Sequence, residues 1–225
     1  MPGGVLRSGP MPTVLSNPSS EEVFDPEFAR VLRMADPGPA LDGPLTFLPL
    51  VGSTAAAWQE AWVCWRDQTL TATIAPVLAT VARHAERGEA REIQEIDKAL
   101  TGTLDPASGG RSTTAGAHFL RRLSVARGDR WLTKFQLAAA AGQTPAHFPV
   151  VYAAQSVLFH LPLRLLLPGY AYWEWTVAMM AYPPTGGRRP KFAAEAASLR
   201  ALAEATLSTH VFDAAEPFRA AANVS

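Results

Sequence analysis

Two segments decide how this chain reads: RSTTAGAHFLRRL at residues 111–123 and HFPVVYAAQSVLFHL at residues 147–161. The first is rich in small residues and carries Phe119, Leu120 and Leu123 at intervals that place side chains on one face of a helix. The second is apolar on nearly every side, and no Asp, Glu, Lys or Arg occurs between Lys134 and Arg164. A helix without a polar face has to be surrounded by other helices. The pair therefore predicts an all-α protein built around a buried helix that starts near Pro149, not around a catalytic loop.

Upstream, Asp25-Pro26 reads as an N-cap followed by proline at the first helical position, and Phe28, Val31 and Leu32 mark the inner face. A Pro- and Gly-rich loop follows over 35–52, with an apolar patch at Phe47, Leu48 and Leu50. Ser53 is placed to cap a helix whose Trp58, Trp62 and Trp65 point one way, continued by Leu70, Ile74, Val77, Leu78 and Val81. Pro76 either kinks this stretch or starts a new helix, and Gly88 stops it. Ile93, Ile96 and Leu100 define the next helix, ended by Gly102. Residues 104–110 read as a loop, with Ser112 capping the helix that Gly128 closes. Asp129 then caps a helix bearing Trp131, Leu132 and Phe135, stopped by Gly142.

Beyond the buried helix, Pro168-Gly169 reads as an interruption before the aromatic-rich segment 170–182, which Pro183-Pro184 ends. A long helix over 191–208 carries Phe192, Leu199 and Leu202 inward, and a short one is expected near 214–222. No run of alternating strand pattern and no fixed-period repeat occurs. The expectation is a single-domain orthogonal or antiparallel bundle of about eight to ten helices over residues 23–225, behind a disordered tail over 1–22.

Composition narrows the function classes. Twenty basic residues balance twenty acidic ones, and no basic stripe interleaved with aromatics is present, so nucleic acid is not an expected partner. A neutral chain is also prone to associate. Cys64 is the only cysteine, which excludes a disulfide within the chain and points to a reducing compartment. Its place between Trp62 and Trp65 reads as that of a buried, inert thiol. The run over 148–163 is short for a membrane span and holds Gln155, His160 and two prolines, so it reads as core.

Chemistry-bearing patterns are sparse. The five histidines form no His-x-x-x-His pair and no Glu-x-x-His motif; His84 with Glu86, or His210 with Asp213, are the nearest to ligand pairs and read as surface groups. Glu86, Glu89, Glu92 and Glu95, with Asp97 nearby and Arg83, Arg87 and Arg91 between, read as a solvent-facing charged surface. There is no Gly-x-Ser-x-Gly elbow, and Gly109-Gly110-Arg111-Ser112 lacks the spacing of a phosphate loop. Glu174 lies in uncharged, aromatic surroundings; it pairs with Arg164 or Arg188, or sits at a partner surface. Tyr170, Tyr172, Trp173 and Trp175 fall on different sides of a helix, so some are expected to be exposed, and core packing and an interface role stand as equal readings.

The order of these segments resembles urease accessory protein F, the all-helical component of the urease nickel-insertion machinery. The likeness rests on Arg111-Ser112 with Gly116 and Leu120, on Gly142-Gln143-Thr144-Pro145-Ala146-His147-Phe148 running into Val150-Val151-Tyr152, and on the helix over 170–182. Leu32-Arg33-Met34-Ala35-Asp36 with Gly43 resembles the family's opening helix and loop. The resemblance implies a cytoplasmic, non-enzymatic scaffold that forms a homodimer, binds other urease accessory proteins including a GTPase, and helps deliver nickel to apo-urease. It needs no cofactor, catalytic residue or resident metal, and involves neither nucleic acid nor membrane. Interface candidates are then Arg111, Ser112, Gly116, His147, Tyr170, Tyr172, Trp173, Glu174 and Trp175. The rival reading is a small all-α enzyme or ligand-binding protein with an apolar pocket lined by Trp58, Trp62, Trp65 and the later aromatics.

Overall fold

A computed structural model of the chain describes residues 24–41, 43–46, 54–123, 129–185 and 190–209. Helix α1 (Pro26–Met34) begins as its sequence asks: the Asp25 carboxylate accepts from the Phe28 N–H at 2.9 Å, and Pro26 stands at the first position. Such a cap contributes about 1 kcal/mol. Phe28, Val31 and Leu32 are buried against α8 (Leu166–Ala181). Thr54 caps α2 (Ala55–Trp65), accepting from the Ala57 N–H at 3.3 Å; Ser53, the expected cap, lies outside the described residues.

Between α2 and α3 (Ala75–Glu86) the helix does not break but widens into a π-helical segment, Arg66–Ile74. The spacing of the buried residues explains the change. Trp58, Trp62 and Trp65 follow α-helical intervals, but the next inward residue, Leu70, comes five later. Hydrogen bonds that reach back five residues keep Leu70 and Ile74 on the buried face. Pro76 takes the second position of α3, immediately after the π-helical segment. Cys64 falls outside the tryptophan arc and is exposed, which corrects the expectation of a buried thiol.

Helix α4 (Ala90–Thr103) runs through Gly102 before ending, and packs on α3 and on α6 (Arg130–Ala140). The larger correction concerns α5, which spans Pro106–Leu123. Asp105, not Ser112, caps it, accepting from the Ala107 and Ser108 N–H groups at 3.0 Å each. Gly109 and Gly110 are therefore helical and Ser112 lies in mid-helix. Low glycine propensity is outweighed here by the cap and by burial of Ser108, Ser112, Ala115, Phe119 and Leu123 on one face.

Helix α7 (Phe148–Leu158) is the centre of the molecule, buried at all but one of its positions and packed chiefly against α3 and α5. The charge-free stretch predicted this placement. Pro168-Gly169 does not interrupt α8: Pro168 is its third residue, where no intrahelical N–H bond is due. Gly169 admits the Tyr152 hydroxyl, which a β-carbon there would approach to 2.5 Å. Helix α9 (Ala193–Thr209) closes the assembly on α8 and α3, with Phe192 and Leu199 buried.

No strand occurs among the described residues, only one isolated bridge between Thr54 and Thr185. The chain is an all-α bundle of nine α-helices within those residues. The expected tail over 1–22, the patch Phe47-Leu48-Leu50, Gly128, Arg188, the His210–Asp213 pair and the helix near 214–222 lie outside them.

Candidate functional site

Three of the interface candidates converge at the N-terminus of α7, around an acid that sequence reading misplaced. Asp97, on α4, is fully buried rather than part of the charged surface. Its carboxylate accepts from the Thr144 hydroxyl at 2.6 Å, the Ala146 N–H at 2.6 Å and the His147 N–H at 2.8 Å. Three donors thus bind one side chain to the connection between α6 and α7. Burial pushes the Asp97 carboxyl up to about 6, and the three donors only partly offset that.

The clamp fixes an uncommon backbone. Ala146 has φ 58°, a left-handed conformation that a residue with a β-carbon adopts at a cost of about 1 kcal/mol or more. Its carbonyl lies directly on Gly116 of α5: a β-carbon at 116 would sit 1.9 Å from that oxygen. Ser112, one turn earlier, receives the Phe148 N–H at 3.2 Å, one of the orphan donors of α7. His147 is buried, with Nε2 at 3.0 Å from the Thr101 hydroxyl and Nδ1 without a partner among the described residues. Burial holds its ring down at about 4, so the imidazole is neutral at neutral pH.

A second clamp gathers Arg111 and Glu174 on one dipeptide. The buried Glu174 carboxylate accepts from the Leu45 N–H at 3.0 Å, and from the Thr46 N–H and hydroxyl at 3.1 and 3.0 Å. Arg111 donates to the Leu45 carbonyl at 2.9 and 3.3 Å, and the Trp65 indole N–H donates to the Thr46 hydroxyl at 3.0 Å. Tyr170 places its hydroxyl 3.5 Å from Glu174, and burial beside that carboxylate pushes its phenol up. Arg164, one expected partner of Glu174, instead donates to Glu27 on α1 at 2.6 and 2.7 Å.

Tyr170, Tyr172, Trp173 and Trp175 are all buried, which corrects the expectation that some are exposed. Two sides of α8 find cover, since α1, α7 and α9 all pack on it. Trp175 stands edge-on to Trp58 and Trp62 with centroids 4.5 and 4.6 Å apart, and Trp62 lies 4.7 Å from Trp65. Rings at these separations are in contact. The space that a tryptophan-lined ligand pocket would need is filled by the rings themselves.

Elsewhere the chemistry is thin. His84 is bound to Glu89 at 2.6 Å, while His118 and His160 are exposed. Among the described residues no three His, Cys, Asp or Glu groups gather into a metal-holding cluster, and no helix is long and apolar enough to cross a membrane. A groove of about 490 Å³ opens between α5 and α6, edged by Pro145 and Ala146 of the clamped connection.

Sequence reasoning missed Asp97, although a signal was there: Ile93, Asp97 and Leu100 fall on one helical stripe, which places the acid inside.

Searches of curated proteins and of solved structures give no match. A family model described as UreF does match, over residues 53–181. That range is more than half of the chain and runs from the start of α2 to the end of α8, so it takes in the whole Asp97 clamp and its glycine seat. With the helical fold and this match together, the chain belongs to the UreF family, whose role is that of a urease accessory protein.

Proposed function

We propose that this protein is a scaffold for urease maturation: it binds other urease accessory proteins, brings a GTPase into the complex, and so promotes nickel insertion into apo-urease, with nickel as the cargo. The family match over residues 53–181 carries this reading. The all-helical fold supports it, as does the use of the two best-bonded buried acids, Asp97 and Glu174, to hold backbone.

In this reading the protein is a cytoplasmic homodimer. Arg111, Ser112, Gly116, His147, Tyr170, Tyr172, Trp173, Glu174 and Trp175 act on partner surfaces by position. Glu174 and Arg111 hold the 43–46 segment, and Ser112 and Gly116 seat the 142–148 connection, in the shapes that partners meet.

The test is genetic and biochemical. In a host carrying apo-urease and its other accessory proteins, removing this chain should leave urease protein abundant but lower its activity and nickel content at least tenfold. Restoring the chain should restore both, and the purified protein should co-elute with the accessory GTPase. Full urease activity without the chain would overturn the reading.

A further inference from the structure

The groove between α5 and α6 has chemistry of its own. Helix α6 packs chiefly on α4, and the space it leaves beside α5 is floored by Ala117, Leu120, Leu137 and Ala140. Leu137 is 66% exposed, the largest exposure of any large apolar side chain among the described residues. This leucine stands beside a groove with room for several apolar side chains.

Charge gives the surface a sign. Neither Pro106–Leu123 nor Arg130–Ala140 contains an acidic residue. Arg121 lines the groove, while Arg130 and Lys134 precede Leu137 by seven and three residues and so share its side of α6. Asp105 and Asp129 stand only at the helix starts. An apolar floor and a cationic rim together fit one kind of occupant. A second copy docking symmetrically would bring like charges together.

We infer that the α5–α6 groove is a docking site for an amphipathic helix of another protein, with apolar residues facing Leu120 and Leu137 and carboxylates meeting the Arg130 and Lys134 rim. This rests on surface chemistry rather than on the urease assignment, so either can fail alone.

The test uses the full chain and two labelled synthetic helices of about 18 residues, each with leucines at i, i+3, i+4 and i+7 spacing; one carries glutamates on its flanks and the other lysines. Fluorescence anisotropy should show the glutamate peptide binding at least about tenfold more tightly than the lysine peptide, and weakening several-fold as salt rises. Leu137→Asp should weaken the glutamate peptide about tenfold or more, and Lys134→Glu should narrow the preference between the two peptides. Unchanged far-ultraviolet circular dichroism would show both variants folded.

Equal binding of the two peptides, or indifference to Leu137→Asp, would overturn the inference. So would sedimentation showing a self-association that Leu137→Asp abolishes, since the occupant would then be a second copy. A small molecule retained in native mass spectra of the parent protein and lost from the Leu137→Asp variant would overturn it as well.

Discussion

The two faces of α5 make opposite uses of small residues. On the inner face Gly116 lets the Ala146 carbonyl come so close that no side chain of any kind has room, and Ser112 meets the first N–H of α7. On the outer face Ala117 leaves a groove of about 490 Å³ that nothing among the described residues fills. The same helix is thus a wall on one side and an open surface on the other. Residues that look alike in sequence, a glycine and an alanine side by side, carry different burdens: one fixes the fold and the other leaves a surface available.

The comparison is broken most forcefully at Gly116. Gly116→Ala drives a methyl group into a backbone carbonyl that the Asp97 clamp prevents from moving. The expected loss is about 3 kcal/mol or more, seen as a lowered denaturant midpoint or outright failure to fold. Wild-type stability in this variant would mean that α5 and α7 are not in contact at this point.

The clamp is tested next. In Asp97→Asn an amide nitrogen replaces one oxygen, so that not all of the Thr144, Ala146 and His147 donors keep an acceptor. The expected cost is about 2 kcal/mol at neutral pH.

The pH dependence sharpens this test. The Asp97 carboxyl is raised in the folded state from 3.8 to about 6, so its contribution is greatest at low pH and is lost as pH rises through about 6. The His147 ring is lowered from 6.5 to about 4, so its contribution is full above 6.5 and is lost as pH falls toward 4. Between about pH 4 and pH 6 the two slopes oppose each other. Asp97→Asn should unmask the histidine, giving stability that falls with acidification by up to about 1 kcal/mol per pH unit, and His147→Gln should tilt the profile the other way. Urea melts at several pH values across this range measure both. Identical slopes in the two variants would contradict the opposing-titration account.

The smallest effect is expected on the outer face. Leu137→Asp changes a side chain that is mostly in water, and stability should stay within about 0.5 kcal/mol of wild type. A larger loss would show that the groove wall is part of the core.

Much of this architecture was legible in the residues. The uncharged run from 135 to 163 located the central helix, and the Asp25-Pro26 cap and the tryptophan spacing located α1 and α2. The errors have a common physical source: local propensity was weighed above tertiary cover. Gly109-Gly110 read as a loop although Asp105-Pro106 offers the same cap signal as Asp25-Pro26. Pro168-Gly169 read as a break although a first turn tolerates proline. The aromatic positions of α8 read as partly exposed because they fall on different sides of the helix, but α1, α3, α7 and α9 all pack on it.

The site was less legible. Arg111, Ser112, Gly116, His147 and Glu174 were singled out, but what they hold was not. Glu174 meets Leu45 and Thr46 across nearly 130 residues of chain, a proximity that no pattern of spacing encodes. Asp97 was hidden among surface acids, and only its register with Ile93 and Leu100 set it apart. The α5–α6 groove depends on how far α6 leans toward α4, which is a property of packing and not of either helix alone.

The most direct test of the two-faced helix is a paired thermal unfolding measurement on Gly116→Ala and Leu137→Asp, made in one buffer against the parent protein. The account predicts a melting temperature lowered by about 10 °C or more for Gly116→Ala and changed by no more than about 2 °C for Leu137→Asp. Equal shifts in the two variants, or a larger one at Leu137, would contradict it.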